Sequence, residues 1–279
     1  MRENIVLFGD SITQQAFQNG WGSSLADAYS RKLTFLCPQT LSDQIHFMYF
    51  SLYIATNKSE NQLNFQADVL LRGYGGYNTR WALFLLNHIF PLGSSKPPVA
   101  TTIFFGANDA AIAGRTSDRQ HVPLPEFKQN LQKIVNHLKS SSPTMLIVLI
   151  TPPPVCEEGR RAFAISLYGD NARKLSERTN EVTGEYAKVC VDTAKEMGVA
   201  YIDLWSKMQE TDGWQKKFLR DGLHLTVDGN EVVYQEVIKV FNEAGLSADK
   251  MPLDFPHHSK IDHKNPEIAF QQNICDASL

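Results

Sequence analysis

The chain of 279 residues exceeds a typical single domain, although α/β folds of about 200–250 residues often form one unit. Hydrophobic residues make up 43% of the chain and charged residues 20%, which is typical of a globular protein with a sizeable core. The formal net charge of −3, without a long basic run, argues against a nucleic-acid partner. No stretch approaches the roughly 18 apolar residues of a membrane-spanning helix.

Neither the cysteines nor the first residues indicate an exported protein. The cysteines lie far apart without a C-x-x-C pair, so the sequence predicts neither a zinc site nor a disulfide framework. They are Cys37, Cys156, Cys190 and Cys275. The first predicted strand begins within about four residues of the start, with no charged segment and apolar core of a secretory signal before it. We therefore expect a cytoplasmic location.

Short apolar runs alternate with amphipathic segments along the chain. The apolar runs predict buried strands over residues 5–8, 69–71, 101–105, 145–150 and 199–204. The spacing of apolar residues predicts helices over residues 21–31, 79–90, 124–140, 172–197 and 227–244, with a softening of the fourth near Gly184. This alternation favours one parallel sheet covered by helices on both faces.

Polar and glycine-rich turns follow the first three predicted strands. They are Gly9-Asp10-Ser11, Gly75-Gly76 and Gly106-Ala107-Asn108-Asp109. Because the carboxyl ends of parallel strands meet at one edge of a sheet, we expect function at these turns. Ser11 at the start of a helix has its hydroxyl in a crevice and its backbone N–H free to point at a ligand. The alternative is that Ser11 is an ordinary helix cap.

Asp221 and His224 favour a nucleophilic role for Ser11. Their D-x-x-H spacing lets a carboxylate orient an imidazole within one turn of chain, and the imidazole can then take a proton from a serine hydroxyl. Ester hydrolysis also needs donors for the tetrahedral oxyanion. The backbone N–H groups of Ser11 and Gly76 and the side-chain amide of Asn108 lie at the predicted edge and are suited to this role.

In their order along the chain, these motifs resemble the four sequence blocks of the SGNH (GDSL) hydrolase family. The strings around Ser11, Gly76 and Asn108 are similar to its isoamyl acetate-hydrolysing esterase branch over residues 4–244, except 33–66. The resemblance implies a flavodoxin-like three-layer α/β sandwich with a five-stranded parallel sheet. It implies a place in lipid metabolism and no metal or organic cofactor.

The same resemblance assigns roles to the site residues. Ser11 is the expected nucleophile, His224 the base and Asp221 its partner. Ser11, Gly76 and Asn108 are the expected oxyanion hole, with Gly75 as the competing glycine. Two further residues have supporting roles: Asp10 is expected to orient the nucleophile turn, and Asp109 to fix the Asn108 loop.

Residues 33–66 depart from the family pattern, which connects the first helix directly to the second strand. The segment contains no glycine and only three charged residues, and its centre is apolar and aromatic without a clear period. We predict one domain over residues 1–250 that carries this atypical insert, followed by a tail over residues 251–279. Two origins stay open: an addition to an ancestral fold, such as an alternative transcript product, and an ordinary lineage-specific excursion.

The sequence thus predicts a hydrolase of small, acetyl-type carboxylic esters that acts through an acyl-serine. Alternatives at the same site are a deacetylase of sugars, a thioesterase and an acyltransferase, and an insert-bearing variant without activity also stays open. A sheet that binds a nucleotide or phosphate is disfavoured, because the chain lacks a P-loop or G-x-G-x-x-G string. The expected partner is a small ester substrate, with homo-oligomerisation possible.

Overall fold

All strands in the described part of the chain pair in parallel within one five-stranded sheet. The computed structural model describes residues 2–30, 67–169, 176–248, 251, 255–256 and 258–270. The strands are β1 (Glu3–Gly9), β2 (Ala67–Gly73), β3 (Ala100–Phe104), β4 (Leu146–Ile150) and β5 (Ala200–Ile202). Their order across the sheet is β2-β1-β3-β4-β5, which confirms the predicted flavodoxin-like α/β fold.

Helices cover both faces of this sheet. The first group is α1 (Ser11–Gln14), α2 (Trp21–Ala28), α3 (Thr79–Ala82), α4 (Leu86–Ile89) and α5 (Leu124–Ser141). The second group is α6 (Glu157–Tyr168), α7 (Asn180–Met197), α8 (Leu204–Gln209), α9 (Trp214–Lys217) and α10 (Val227–Glu243). Short 3₁₀ helices occupy Leu83–Leu85, Asp118–Gln120 and His258–Lys260. No helix of the described residues is long and apolar enough to cross a membrane.

The alternating side chains of β1 divide the protein interior into two cores. Ile5 and Leu7 belong to the core that α2 and α10 cover. Val6 and Phe8 belong to the core on the opposite face, which α5 and α7 cover. Because a strand points successive side chains to opposite faces, the uninterrupted apolar run of β1 requires helices on both sides.

Two of the predicted helices need correction, the second of them in two respects. The helix predicted over residues 79–90 is divided into α3, a 3₁₀ turn and α4. The helix predicted from residue 172 begins at Asn180, because the Thr179 side chain accepts the N–H of Val182 and caps the helix there. Residues 172–175 lie outside the described part. Gly184 does not soften α7; a Cβ at this position would lie 2.8 Å from the Trp205 ring, so the glycine makes room for that ring.

Helix α6 is not predicted by the sequence pattern. Its only buried residue is Arg160, whereas Ile165 and Leu167 are exposed. A helix that presents apolar side chains to solvent and a charged one to the interior lacks the amphipathic pattern from which helices are predicted.

The described segments on either side of residues 31–66 meet at the amino-terminal edge of the sheet. The backbone N–H of Ala67, the first residue of β2, donates to the carbonyl of Tyr29 at 3.0 Å. The predicted insert itself lies outside the described residues. Its two flanking segments adjoin at the edge opposite the carboxyl ends of the strands.

Candidate active site

The turn that carries Asp10 and Ser11 connects β1 to α1 at the carboxyl edge of the sheet. Asp10 caps α1, because its Oδ1 accepts the N–H of Ile12 at 2.9 Å. Ser11 is the first residue of α1, and its own N–H has no acceptor among the described residues. The turn thus leaves a hydroxyl and a free N–H on the same residue, close to the positive end of a short helix.

Ser11, His224 and Asp221 form a continuous hydrogen-bonded chain. The Ser11 Oγ lies 3.0 Å from His224 Nε2, and His224 Nδ1 lies 2.6 Å from Asp221 Oδ2. Asp221 Oδ1 also accepts the backbone N–H groups of Leu223 at 3.0 Å and of His224 at 2.7 Å. The carboxylate therefore shapes its own turn while it orients the imidazole.

The surrounding loop is fixed at both ends. An isolated antiparallel bridge pairs Leu219 with Leu225 on either side of the turn. Gly222 has a φ of +81°, and a Cβ there would lie 2.4 Å from the Cys156 carbonyl oxygen. Both the left-handed conformation and the close approach require glycine, so the residue after Asp221 is part of how the sequence builds this turn.

The ionisation state of Asp221 fixes the direction of the hydrogen bond between Asp221 and His224. Burial alone would raise the pKa of Asp221, but the hydrogen bond and charge of His224 and two backbone N–H groups outweigh it and lower that pKa. An ionised carboxylate only accepts hydrogen bonds, so His224 Nδ1 carries the hydrogen. Nε2 is then free to accept the proton of the Ser11 hydroxyl.

The turn after β2 presents Gly76 rather than Gly75. The N–H of Gly75 donates to the Gln14 side chain at 2.5 Å. The N–H of Gly76 has no acceptor in the described part of the chain, and its φ of +79° lies in the region that glycine favours. Of the two candidate glycines, Gly76 is therefore the one with a donor available for a ligand.

Asn108 lies after β3 with its side chain almost fully buried, at 4% exposure. Its Nδ2 donates to the carbonyl of Tyr77 at 2.8 Å, and its Oδ1 accepts from Arg178 at 3.0 Å. These partners fix which end of the amide is the donor. One Nδ2 hydrogen is used, and the second has no other acceptor among the described residues.

Asp10 and Asp109 lie beneath the site with no exposed surface. Burial raises the pKa of Asp10 to about 7, opposed by the Ile12 N–H, and raises that of Asp109 to about 6, opposed by hydrogen bonds from Thr79. Asp109 Oδ1 accepts both the N–H and the hydroxyl of Thr79. Each aspartate thus ties its own turn to neighbouring backbone, whereas the carboxylate that contacts the His224 imidazole is that of Asp221.

Two arginines that no sequence motif indicates contact Asn108 and Asp221. Arg178 donates to Asn108, and Arg160 NH1 lies 3.4 Å from Asp221 Oδ2. The N-cap signal of Thr179 was available in the sequence and would have separated Arg178 from the helix that follows. No local signal connects Arg160 with Asp221, which lies 61 positions further along the chain.

A cavity of about 490 Å³ lies beside the turns that carry Ser11 and His224. Ile12 and Leu225, which directly follow Ser11 and His224 in the chain, contribute to its wall. The remaining lining is mainly polar: Gln15, Gln18, Asn19, Arg220, Thr226 and Asn230, together with Val227. A cleft with this lining is suited in chemistry to a small molecule with polar groups.

The fold and the geometry together define a class: an α/β hydrolytic enzyme with its candidate site at the switch point of a parallel sheet. The sequence matches the family described as "GDSL-like Lipase/Acylhydrolase" over residues 5–237. A GDSL esterase/lipase of Arabidopsis thaliana is 61% identical over 98% of this chain and 99% of its own length. The "Isoamyl acetate-hydrolyzing esterase 1 homolog" of Bos taurus is 38% identical over 95% of this chain and 90% of its own.

A solved structure agrees at the level of the fold. The lipase/acylhydrolase from Enterococcus faecalis superposes with a TM-score of 0.55 at 22% identity, over 90% of this chain and 100% of that one. The chain belongs to the GDSL lipase/acylhydrolase family and is a carboxylic ester hydrolase.

Proposed function

We propose that the chain is a serine esterase that cleaves small, acetyl-type esters through an acyl-enzyme intermediate. The observation that carries the proposal is the chain of contacts from Ser11 Oγ through His224 to Asp221, with distances of 3.0 and 2.6 Å. A hydroxyl in hydrogen-bond reach of a base, which a carboxylate orients in turn, is the arrangement that activates a serine. This chemistry uses no metal and no organic cofactor.

The proposed reaction has two halves. His224 Nε2 takes the hydroxyl proton while Ser11 Oγ attacks the ester carbonyl carbon. The resulting oxyanion accepts hydrogen bonds from the N–H groups of Ser11 and Gly76 and from Asn108 Nδ2. The intermediate collapses, the alcohol leaves with the proton from His224, and the acyl group stays on Ser11. Water then attacks the acyl group with the same base and releases the acid.

The preference for small acyl groups rests on the relatives. The name of the relative from Bos taurus, at 38% identity, refers to hydrolysis of isoamyl acetate, an ester of acetic acid. We extend this acyl preference to the present chain. A panel of p-nitrophenyl esters with acetyl, butyryl and octanoyl groups tests it, with the highest kcat/KM expected for acetyl. A higher kcat/KM for octanoyl would contradict the preference and leave the serine mechanism standing.

A fluorophosphonate probe tests the serine mechanism directly. The probe forms a covalent bond with an activated serine, so mass spectrometry of a digest is expected to find it on the peptide that carries Ser11. Brief incubation with the acetyl ester followed by acid quenching is expected to find an acetyl group on the same peptide. An active protein without label on that peptide would overturn the mechanism.

A deacetylase of sugars is a second candidate, because the cavity beside the catalytic turns is mainly polar. Amide side chains such as Gln15 and Gln18 are suited to hydrogen bonds with the hydroxyl groups of a sugar. Hydrolysis of acetylated xylose and of isoamyl acetate at equal concentration compares the two. If Gln18→Leu lowers kcat/KM for the sugar ester alone, the deacetylase is favoured.

The remaining alternatives concern the acyl acceptor or substrate, the cellular location, the oligomeric state and the activity of the insert-bearing chain. Addition of alcohols or of a thioester substrate separates acyltransferase and thioesterase activities from hydrolysis. A cytoplasmic location, a role in lipid metabolism and a homo-oligomeric state stay predictions. Cell fractionation tests the first and light scattering of the purified protein the third. An inactive insert-bearing variant, misfolded although the site residues are present, predicts a protein that neither turns over esters nor accepts the probe.

A further inference from the structure

We propose that Arg178 is a positioning residue for two of the three proposed oxyanion-hole donors, Asn108 and Gly76. Through Glu177 and Arg160, it also connects these two donors to Asp221. The inference rests on the proposed function, because it concerns how the same site is held in place. Arg178 lies in the turn before α7 and is 3% exposed.

One guanidinium group fixes the Asn108 turn at two points. Arg178 Nε donates to the carbonyl of Ala107 at 2.7 Å, and its NH2 donates to Asn108 Oδ1 at 3.0 Å. The first bond holds the backbone of the turn, and the second holds the side-chain amide with Nδ2 directed away from the arginine. A rigid, planar fork of donors is suited to this double contact, whereas a lysine ammonium is not.

The same NH2 group reaches the Gly76 peptide through Gln120. Arg178 NH2 donates to Gln120 Oε1 at 2.8 Å, and Gln120 Nε2 donates to the carbonyl of Gly76 at 3.0 Å. This carbonyl belongs to the same residue as the proposed N–H donor, so the bond fixes the orientation of the Gly76 residue in its loop. Arg178 is thus connected to both donors, directly to one and through a single side chain to the other.

Glu177 joins Arg178 to the other half of the site. Glu177 Oε1 accepts from Arg178 NH1 at 3.2 Å and from Arg160 NH2 at 2.6 Å. Arg160 NH1 in turn lies 3.4 Å from Asp221 Oδ2 and 3.3 Å from the Asp221 carbonyl oxygen. A single carboxylate oxygen therefore connects the arginine behind Asn108 with the arginine behind Asp221.

The burial of this cluster argues that it is held in one arrangement. The side chains of Arg160, Glu177 and Arg178 are 10%, 12% and 4% exposed. Burial lowers the pKa of Arg178, and the charge of Glu177 opposes that effect. Buried charges are tolerated when they are paired and hydrogen-bonded, and such networks impose a specific geometry on their neighbours. The backbone is fixed as well, since the Ile112 N–H donates to the Glu177 carbonyl at 2.9 Å.

The decisive experiment compares Arg178→Lys with Asn108→Ala and with the double variant. Arg178→Lys keeps a buried positive charge beside Glu177 but loses the fork. We expect its kcat for p-nitrophenyl acetate to fall by about 10–100-fold, less than the 10²–10³ of a deleted oxyanion donor, with KM nearly unchanged. Affinity for a boronic acid, which forms a tetrahedral adduct with the serine, is expected to fall by a similar factor.

The double variant separates positioning from a general structural role. If Arg178 acts largely through Asn108, adding Arg178→Lys to Asn108→Ala costs much less than it costs in the wild type. Arg161→Met is the matched control, because Arg161 is an exposed neighbour of Arg160 on α6, and full activity is expected. Losses that multiply in the double variant, or an Arg178→Lys kcat within about twofold of wild type, would overturn the inference.

A second variant covers the case in which Arg178→Lys does not fold. Gln120→Ala leaves the ion pairs of Arg178 intact and removes only the connection to Gly76. We expect about 3–10-fold lower kcat, multiplying with Asn108→Ala because it acts through the other donor. An unchanged kcat would overturn this branch. Failure of the proposed function is distinct, because wild type and Arg161→Met would then show no turnover and no probe labelling.

Discussion

The two halves of the candidate site are built in different ways. In the relay arm, which consists of Ser11, His224 and Asp221, the imidazole is oriented by a local contact: Asp221 binds the ring and the backbone N–H of a residue three positions away. The contact of this ring with Ser11 spans 213 positions. The oxyanion arm, which consists of Gly76, Asn108 and Arg178, is held by long-range contacts. The Arg178–Asn108 bond spans 70 positions in the chain.

This difference indicates which substitutions are expected to disturb the geometry of each arm. A local turn forms with its own hydrogen bonds wherever its few residues are present. A long-range arm requires the sheet, the 3₁₀ turn of Gln120 and the segment before α7 to be in place together. We therefore expect the orientation of His224 to fail mainly through Asp221 itself, and the oxyanion arm to fail through distant supporting residues as well.

Ser11→Ala removes the hydroxyl of the relay arm while the backbone N–H of residue 11 stays in place, and it gives the largest expected effect. Loss of the nucleophile is expected to lower kcat for p-nitrophenyl acetate by about four orders of magnitude or more. The melting temperature is the control and should stay close to wild type, since the Ser11 backbone carbonyl, which accepts the Gln15 N–H and helps to shape the turn, is unchanged in alanine. Retention of more than about one per cent of the turnover would point to another nucleophile.

Asp221→Asn breaks the relay arm by its local partner. The amide favours the wrong tautomer of His224, so kcat is expected to fall by about 10⁴ with little change in KM. The lowered pKa of Asp221 adds a stability effect with a defined sign. Ionised Asp221 stabilises the folded wild type at pH values above the pKa that this residue has in the unfolded chain. The stabilisation is lost as the pH falls through the lower pKa of Asp221 in the folded protein. The stability difference between the two proteins should therefore shrink in strong acid, as measured by urea unfolding.

Asn108→Ala breaks the oxyanion arm at its side-chain donor. Removal of one such donor is expected to lower kcat by about 10²–10³, with KM nearly constant because the bond strengthens in the transition state. The ordering is what sharpens the comparison: Asp221→Asn should cost more than Asn108→Ala in steady-state kinetics. The reverse order would mean that the oxyanion arm dominates catalysis.

The same contrast explains what the sequence could predict. Strand runs and the D-x-x-H spacing are local patterns, and so the sheet, Ser11, Asp221 and His224 were all identified as elements and candidates. The contact of Arg178 with Asn108 arises only when two loops pack together. No periodicity describes such a contact, and the predicted helix from residue 172 had placed Arg178 inside a regular element.

Helix α6 is a second case in which local pattern fails for a physical reason. Arg160 is buried because it pairs with Glu177 and Asp221, not because it is apolar. A charged residue on the inner face, beside exposed Ile165 and Leu167, reverses the expected pattern of a surface helix. Departures of this kind are expected where a site, rather than the core, decides the sequence.

Asp10→Asn tests how the ionisation of the buried Asp10 carboxyl group affects the stability of the protein. The folded pKa of Asp10 is raised from 3.8 to about 7, so its stability contribution is greatest below pH 3.8 and is lost as the pH rises through about 7. The asparagine cannot ionise, and its Oδ1 can still accept the Ile12 N–H. Relative to wild type, the variant should gain up to about 4 kcal/mol between pH 4 and pH 8 in urea unfolding. A difference that does not change with pH would show that Asp10 ionises as it does in water.

Deletion of residues 33–66, joining Lys32 to Ala67, is expected to have the smallest effect on catalysis. The flanking segments already adjoin, since the Ala67 N–H donates to the Tyr29 carbonyl at 3.0 Å, and they do so at the edge of the sheet opposite Ser11 and Asn108. Neither arm uses that edge, so kcat/KM should stay within about threefold of the full chain. Removal of an apolar, aromatic stretch should raise the soluble yield. Yield and kcat/KM of the two chains, purified in parallel, check both expectations. An insoluble deletion variant would mean that the segment belongs to the folded domain, and a soluble one with low kcat would mean that the two edges of the sheet are coupled.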